Sequence, residues 1–133
     1  MRLLMGVMLL AWTSPTPAAG PKCPTTLPQE QLNECFVAAF EDTEQRLDGL
    51  LHDLRKSLGS KQWSRLKDSQ GLWAKVREID CKLEASFLDG PVREAVRYGC
   101  SEKRTRERMH QLRYYLCPRY NLTGQCDVER LYE

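Results

Sequence analysis

Apolar residues recur at steps of three or four along most of the chain, and this spacing predicts amphipathic helices. The first predicted helix extends from Gln29 to Leu58. Thr26 and Gln29 resemble a capping box at its start, and Gly59 favours a stop at its end. Its apolar positions are Leu32, Phe36, Ala39, Phe40, Leu47, Leu50, Leu51, Leu54 and Leu58.

The same spacing continues in two further helices. Ser60 can cap the second helix, and the run 89–91, Asp-Gly-Pro, ends it and places proline at the start of the third. The third helix extends to about Leu116, and Gly99 is expected to weaken or bend it. The apolar positions are Trp63, Leu66, Trp73, Val76, Leu83 and Phe87 in the second helix, and Val92, Val96, Cys100, Met109, Leu112 and Leu116 in the third.

Short connections determine how these helices pack. The link of Gly59 and Ser60 makes the first two helices antiparallel, and the turn at 89–91 makes the third double back on the second. Cys81 lies nine residues before Gly90 and Cys100 lies ten after it, so the hairpin brings both thiols level. The sequence therefore predicts an all-α fold, a small antiparallel three-helix bundle stapled by disulfides, in which Cys81 pairs with Cys100.

An even number of cysteines, six in a short chain, is typical of a disulfide framework in an exported protein. Cys23 has room to fold back onto Cys35, and Cys117 and Cys126 bracket a loop, so these are the other two predicted pairs. The sequence has no CxxC pair and only two isolated histidines, which argues against a zinc or redox site. No cofactor is predicted.

The N-terminal segment, residues 1–19, has the features of a secretory signal peptide. Arg2 gives it a basic start, Leu3 to Trp12 is almost entirely apolar, and small residues at 16–19 suit cleavage. About ten apolar residues would span only about 15 Å as a helix, which argues against a membrane anchor. Lipidation of Cys23 is disfavoured because Lys22, rather than a small residue, precedes it. We expect export without a membrane span.

Four residues of the second helix share one face. Gln70, Trp73, Arg77 and Cys81 follow one another at steps of three, four and four. With Cys81 in the hairpin disulfide, Trp73 is expected to pack against the neighbouring helices. Two interpretations of Arg77 stay open: its stem lies along the apolar seam with the guanidinium on a carboxylate or on helix-end carbonyls, or it is a solvated surface residue.

The order of these residues along the chain resembles the LprI-type lysozyme inhibitor domain of bacterial envelope proteins. Ser69 stands where alanine is usual, Asp48 stands for asparagine, and residues 117–133 are an addition to the pattern. The matching positions are Cys23, Leu32, Asn33, Cys35, Leu47, Leu66, Gln70, Trp73, Arg77, Cys81, Cys100, Thr105, Arg108 and Leu112.

The resemblance implies an exported envelope protein, periplasmic or secreted, and for some relatives the binding and inhibition of lysozyme. The chain then divides into a signal peptide (1–19), an LprI-like helical domain (20–116) and a C-terminal tail with two cysteines (117–133). The motif implies no inhibitory residue set, because its members have the character of a fold signature. Those members are Asn33, Gln70, Trp73, Arg77, Thr105 and Arg108.

Charge is distributed unevenly along the predicted helices. Residues 28–58 hold seven acidic and three basic side chains, whereas residues 93–119 hold three acidic and eight basic ones. The near balance gives no general preference for nucleic acid. Glu30, Glu34, Glu41 and Asp48 form an acidic stripe on the first helix, which could steer a basic lysozyme, pair with the third helix within the molecule or in a dimer, or be solvated.

The third helix and its C-terminal end contain the remaining candidate surfaces. The run 101–108, SEKRTRER, lacks aromatic residues, which argues against a nucleic-acid groove. It is interpreted as a solvated face, and contact with anionic lipid headgroups, peptidoglycan or an acidic partner is the alternative. Tyr114 and Tyr115 follow it, with Tyr120 and nearby arginines, and tyrosine and arginine are enriched at binding hot spots. Packing of the C-terminal loop by these tyrosines is an equally good interpretation.

Nothing in the sequence resembles a catalytic constellation, so the protein is not expected to be an enzyme. Two functions remain open. The first is inhibition of a lysozyme-like glycosidase by binding it, and the second is a non-inhibitory structural or protein-binding module of the cell envelope. The first requires a protein partner, the second binds another protein or the cell wall, and neither predicts an oligomeric state.

Overall fold

A computed structural model of the protein describes residues 23 to 116. It contains three helices, α1 (Gln29–Ser57), α2 (Ser60–Ser86) and α3 (Val92–Arg113), followed by a 3-10 turn (Tyr114–Leu116), and no strand occurs within this range. The predicted all-α, three-helix fold is confirmed. The predicted signal peptide, the C-terminal tail and the pairing of Cys117 with Cys126 lie outside the described residues.

The helices pack side by side, with α3 in contact with both others. Because the two connections are short, α2 runs antiparallel to its neighbours and α1 and α3 are parallel. The apolar core lies toward the end of the bundle where α1 connects to α2. Its buried members are Leu47, Leu50 and Leu54 from α1, Leu66 from α2, and Met109 and Leu112 from α3.

Two disulfides hold the bundle. Cys81 and Cys100 join α2 to α3 with their Cα atoms 5.5 Å apart, and Cys23 and Cys35 join the N-terminal segment to α1 at 5.8 Å. Both pairs agree with the sequence expectation. The α2 to α3 bridge closes a loop of 19 residues, and a loop of that size is worth about 3 kcal/mol. Disulfides indicate that the protein folds in an oxidising environment.

Two glycines shape the α2 to α3 hairpin and its contact with α1. Gly90 has a φ of 74°, the left-handed conformation that an L side chain rarely adopts, and it makes the turn before α3. Gly99 lies within the continuous helix α3. A Cβ atom there would lie 3.2 Å from the ring of Phe36, so this glycine lets α1 approach α3 closely.

Helix α2 has a second apolar face that no described element covers. The prediction that its apolar residues form a single amphipathic face is therefore wrong. Val76 and Leu83 are 54% and 55% exposed, and Phe87 is 79% exposed. Leu66 and Cys81, by contrast, are buried among the other helices. The two sets differ because α2 is the flanking helix of the bundle, packed on one side only. Within residues 23–116, no helix is both long and apolar enough to cross a membrane.

Candidate functional site

Arg77 connects all three helices through its guanidinium group. Nη1 donates to Oε1 of Glu44 on α1 at 2.5 Å, and Nη2 donates to Oε2 of the same carboxylate at 3.2 Å. Nη1 also donates to the hydroxyl of Thr105 on α3 at 2.6 Å. The Arg77 side chain is only 11% exposed. Of the two interpretations of Arg77, the structure therefore shows the one with the guanidinium on a carboxylate in the helix seam.

Aromatic rings enclose the same guanidinium. The Cζ atom of Arg77 lies 5.0 Å from the ring centroid of Phe40 and 4.8 Å from that of Trp73. A second guanidinium, that of Arg108, lies 5.7 Å from the Trp73 ring. Each arrangement is a cation–π contact. Trp73 is half-buried and packs against the apolar core as expected, with two cations on its faces in addition.

Arg108 extends this cluster along the α2 to α3 interface. Its Nε donates to Oε1 of Gln70 at 3.0 Å, and Nη2 donates to the hydroxyl of Ser69 at 3.2 Å. No carboxylate between residues 23 and 116 forms an ion pair with it. Burial lowers the pKa of Arg108, because the charged form loses hydration that the neutral partners only partly replace. The arginine is nevertheless cationic at any physiological pH.

Asn33, the remaining polar member of the motif, lies at the opposite end of the bundle. Its Nδ2 donates to the backbone carbonyl of Pro91 at 3.0 Å, and its Oδ1 accepts a hydrogen bond from Gln29 at 2.8 Å. The side chain therefore joins the first turn of α1 to the turn between α2 and α3.

The run 101–108 is an interior segment of α3, so the prediction of a solvated face is wrong. Ser101, Glu102 and Thr105 are buried. Glu102 accepts a hydrogen bond from Nε of Arg106 at 2.5 Å, and the hydroxyl of Thr43 lies 3.4 Å from the same carboxylate oxygen. The physical reason is the position of α3, which has a neighbouring helix on two sides, so Ser101, Glu102 and Thr105 face those helices, whereas Lys103 and Glu107 stay exposed.

Arg104 of the same run forms ion pairs across the α2 to α3 interface. Its Nη1 donates to Asp80 at 2.8 Å and its Nη2 donates to Glu84 at 3.0 Å. The hydrogen bond to Glu84 raises the pKa of Arg104. One guanidinium thus serves two carboxylates of α2.

The acidic stripe of α1 lies on the surface, and its four carboxylates form no ion pair with any residue between 23 and 116. Pairing with α3 within this part of the molecule is therefore not observed. Three of the four line a shallow groove of about 410 Å³ between α1 and the start of α3, which Glu94 completes, while Asp48 lies beyond it. No group of metal-binding side chains occurs among residues 23–116. The groove is lined by Glu30, Asn33, Glu34, Val37, Ala38, Glu41 and Glu94.

A protein-family model described as "Lysozyme inhibitor LprI" matches residues 23–112, about two thirds of the chain. The chain belongs to the LprI family. The matched range contains both described disulfides and almost all of the three helices. No curated protein and no solved structure matches the chain significantly. The family name implies a protein that acts by binding another protein.

Most of the LprI motif residues lie close together in the structure although they are far apart in the sequence. Gln70, Trp73, Arg77, Thr105 and Arg108 form one connected cluster across the α2 to α3 interface, with Glu44 contributed by α1. The Arg77 side chain at its centre is only 11% exposed and so is poorly placed to contact a partner. This supports the interpretation of these residues as structural.

Glu44 is the member of the LprI cluster that sequence reasoning missed, since it was counted with the acidic surface of the first helix. The sequence nevertheless indicated that Glu44 faces the other helices. Position 44 lies four residues after Phe40 and three before Leu47, which places it on the apolar face of α1. A carboxylate on that face requires a cationic or hydrogen-bonding partner in the seam.

The tyrosine pair lies at the C-terminal end of the described LprI domain. Tyr114 packs against His110 with ring centroids 5.6 Å apart, and Tyr115 is 39% exposed. Because α1 and α3 are parallel, this end of α3 is level with the last turns of α1, about 30 Å from Glu34 at 1.5 Å per residue. The structure therefore separates the tyrosines from the acidic groove.

Proposed function

We propose that this LprI family protein binds a lysozyme-like peptidoglycan hydrolase in the periplasm or outside the cell and inhibits it. The family match over residues 23–112 carries the proposal. The disulfides support an oxidising location, and the predicted signal peptide at residues 1–19 supports export. The protein has no catalytic role in this proposal: it acts by occupying the enzyme.

The acidic groove is the proposed contact surface. Lysozymes are commonly basic, and a groove whose lining includes four carboxylates and no lysine or arginine attracts lysine and arginine side chains. Glu34 and Glu41 are exposed and project beside an apolar strip that includes Val37. Charged groups around an apolar centre are a common arrangement at protein interfaces. Asp48 extends the negative surface further along α1.

Inhibition requires that the bound protein block substrate access. Glycoside hydrolysis by lysozyme places a sugar chain between two carboxyl groups in an open cleft. A rigid helical rod carrying carboxylates along one edge could lie across the basic rim of such a cleft and exclude the polysaccharide. The Arg77 cluster would supply rigidity by joining α1 to α2 and α3, and the Cys81–Cys100 disulfide would supply it by joining α2 to α3.

The first test is titration of the purified, oxidised protein into labelled peptidoglycan with a panel of animal and bacterial lysozymes. Saturable inhibition near one to one is expected with at least one basic enzyme. Absence of inhibition across the panel, together with retained binding to the wall or to another protein, would contradict the proposal and favour the non-inhibitory module.

The second test addresses the surface. Changing both Glu34 and Glu41 to lysine should slow association at least about tenfold at low salt, because the acidic groove would then repel a basic enzyme, and this difference should shrink at high salt. The matched control changes Asp89 and Glu107, exposed acidic residues elsewhere, to lysine. Equal association rates for the two double variants would exclude the acidic groove as the contact surface.

The tyrosine pair is a second proposed contact, independent of the groove. Tyr115 is 39% exposed, whereas Tyr114 packs on His110, so Tyr115→Ala is the more suitable change for the test. A rise in Kd without a change in salt dependence is expected if Tyr115 contacts the enzyme. An unchanged Kd would assign the pair to packing of the C-terminal residues.

A further inference from the structure

Helix α2 carries an apolar surface on the side that faces away from α1 and α3. We call Leu72, Val76, Ile79 and Leu83 the α2 stripe. Their side chains are 66%, 54%, 65% and 55% exposed. Scattered exposed leucines are ordinary, but four in a row at helical spacing form a continuous face.

The exposed apolar area is large for a domain of this size. Phe87, 79% exposed, lies at the C-terminal end of this face, and Leu88, 38% exposed, follows just beyond the helix. With about 150 to 200 Å² per large side chain, the six residues expose roughly 600 Å² of surface. Doubling that area gives roughly 1,200 Å², the lower end of the range for a stable protein–protein interface.

The spacing of the α2 stripe is that of a helix-to-helix seam. Its residues follow one another at steps of four, three and four, which average the 3.5-residue repeat of a coiled coil. Such a seam keeps its apolar side chains in contact with a partner helix of the same repeat. A second copy of α2 has the same repeat and is therefore a suitable partner. In a two-fold symmetric dimer, both molecules use the same surface for the contact.

Charges beside the stripe decide between the two possible orientations. Lys75 and Lys82 precede Val76 and Leu83 and lie along one side of the stripe, while Asp80 follows Ile79 and lies on the other. Lys82 forms an ion pair with Glu78 of its own helix. Parallel packing brings the basic side of each copy to the acidic side of the other, whereas antiparallel packing brings like charges together.

The acidic side of the α2 stripe retains a net negative charge after its ion pairs within the chain are counted. Asp80 and Glu84 share the single guanidinium of Arg104, so their two negative charges meet one positive charge. In a parallel pair, Lys75 of one copy faces Asp80 of the other, five residues on, which is the usual position of interhelical ion pairs. Lys82 faces Phe87 in the same way, so the ring can cover its aliphatic stem.

We infer that the protein forms a homodimer in which the α2 stripes of two copies pack in parallel about a two-fold axis. The dimer covers the apolar face that the described residues of one chain leave open. It leaves the acidic groove of α1 on the outside, since that groove lies between α1 and α3, and it does not depend on which enzyme the protein binds.

The test measures molar mass by light scattering after gel filtration of the oxidised protein, with residues 117–133 retained, over a micromolar dilution series. The wild type should have the mass of two chains. Ile79→Asp should raise the Kd of the dimer at least about 100-fold, because two like charges then meet in the seam. Gln45→Asp adds the same charge at an exposed position of α1 and should leave the dimer intact.

Orientation is tested by mixing. Ile79→Asp and Ile79→Lys should each be monomeric alone and form a mixed dimer together, because residue 79 faces its own counterpart only in the parallel arrangement. A mixture that stays monomeric would overturn the parallel packing. A wild type with the mass of one chain, or an Ile79→Asp variant that stays dimeric, would overturn the dimer and give the α2 stripe another occupant, such as residues 117–133 or a different protein.

Discussion

Replacing Glu44 by glutamine tests the central ion pair of the fold. The change removes the negative charge and keeps the size of the side chain, so Arg77 stays in the seam without its counter-ion. The two partners are unequal in solvent access: the Arg77 side chain is 11% exposed and that of Glu44 is 37% exposed. Losing Glu44 therefore leaves a cation that water reaches poorly, whereas losing Arg77 leaves a carboxylate that water can hydrate.

The exposed fraction determines the expected magnitude. Breaking a fully buried ion pair costs about 3 to 5 kcal/mol, and exposed pairs are worth at most about 1 kcal/mol. A pair with one shielded and one half-exposed member lies between these limits, so Glu44→Gln should cost about 2 kcal/mol. Arg77→Met should cost about 1 kcal/mol, because methionine fills the space between Phe40 and Trp73 and Glu44 can hydrate.

Thermal and urea denaturation of the oxidised protein, followed by far-ultraviolet circular dichroism, measures both costs. A loss of about 2 kcal/mol corresponds to a fall in Tm of about 8 to 16 °C for a domain of this size. Glu41→Gln, an exposed change on the same helix, is the matched control and should stay within about 0.5 kcal/mol of wild type.

A double-mutant cycle shows whether the loss comes from the pair itself. In the Arg77→Met background, Glu44→Gln should cost almost nothing, which gives a coupling of about 2 kcal/mol. If Glu44→Gln cost less than about 0.5 kcal/mol in the wild type, or the same amount in both backgrounds, the reasoning from burial and charge would be refuted.

Three further predictions concern the packing of the bundle. Peptide mapping of the oxidised protein should recover Cys81 joined to Cys100, and changing both to serine should cost about 3 kcal/mol in urea unfolding; a different partner for either cysteine would contradict the helix register. Trp73→Ala should cost about 3 to 5 kcal/mol by the same assay, and a cost below about 1 kcal/mol would place the indole at the surface. Gly49→Ala should stabilise the helix by up to about 1 kcal/mol because its Cβ would meet open space, whereas Gly99→Ala should gain clearly less because its Cβ would press on an aromatic ring; equal gains would mean that the close approach of α1 to α3 costs nothing.

Helices and their connections were predictable because they depend on local sequence. The three-or-four spacing, the two-residue link and the turn at Gly90 determine where helices start, stop and reverse. The pairing of Cys81 with Cys100 followed from these features alone, since residues equally distant from a tight turn lie level in a helical hairpin. The likeness to the LprI domain could also be recognised from the sequence, because the cysteine, tryptophan and arginine positions of the family pattern occur in the same order along this chain.

Contacts within the site were less predictable because they depend on which face of each helix is covered. Spacing placed Gln70, Trp73 and Arg77 on one face, yet it could not show that Glu44 would reach Arg77 from α1. The same limit explains the run 101–108. Charged residues are solvated on a helix at the edge of a bundle, whereas on a central helix they form ion pairs with neighbouring helices. Whether α3 is central depends on how all three helices pack, so its own sequence could not show it.

By itself, the sequence determined a disulfide-stapled helical hairpin, its third helix and its likeness to the LprI domain. Only the tertiary structure decided that α3 is central, that Arg77 is shielded by Glu44 and two rings, and that the α2 stripe faces outward. The physical reason is that these features depend on contacts between residues far apart in the sequence. Periodicity records which residues share a side of one helix, whereas burial and ion pairing depend on neighbours that approach from distant parts of the chain.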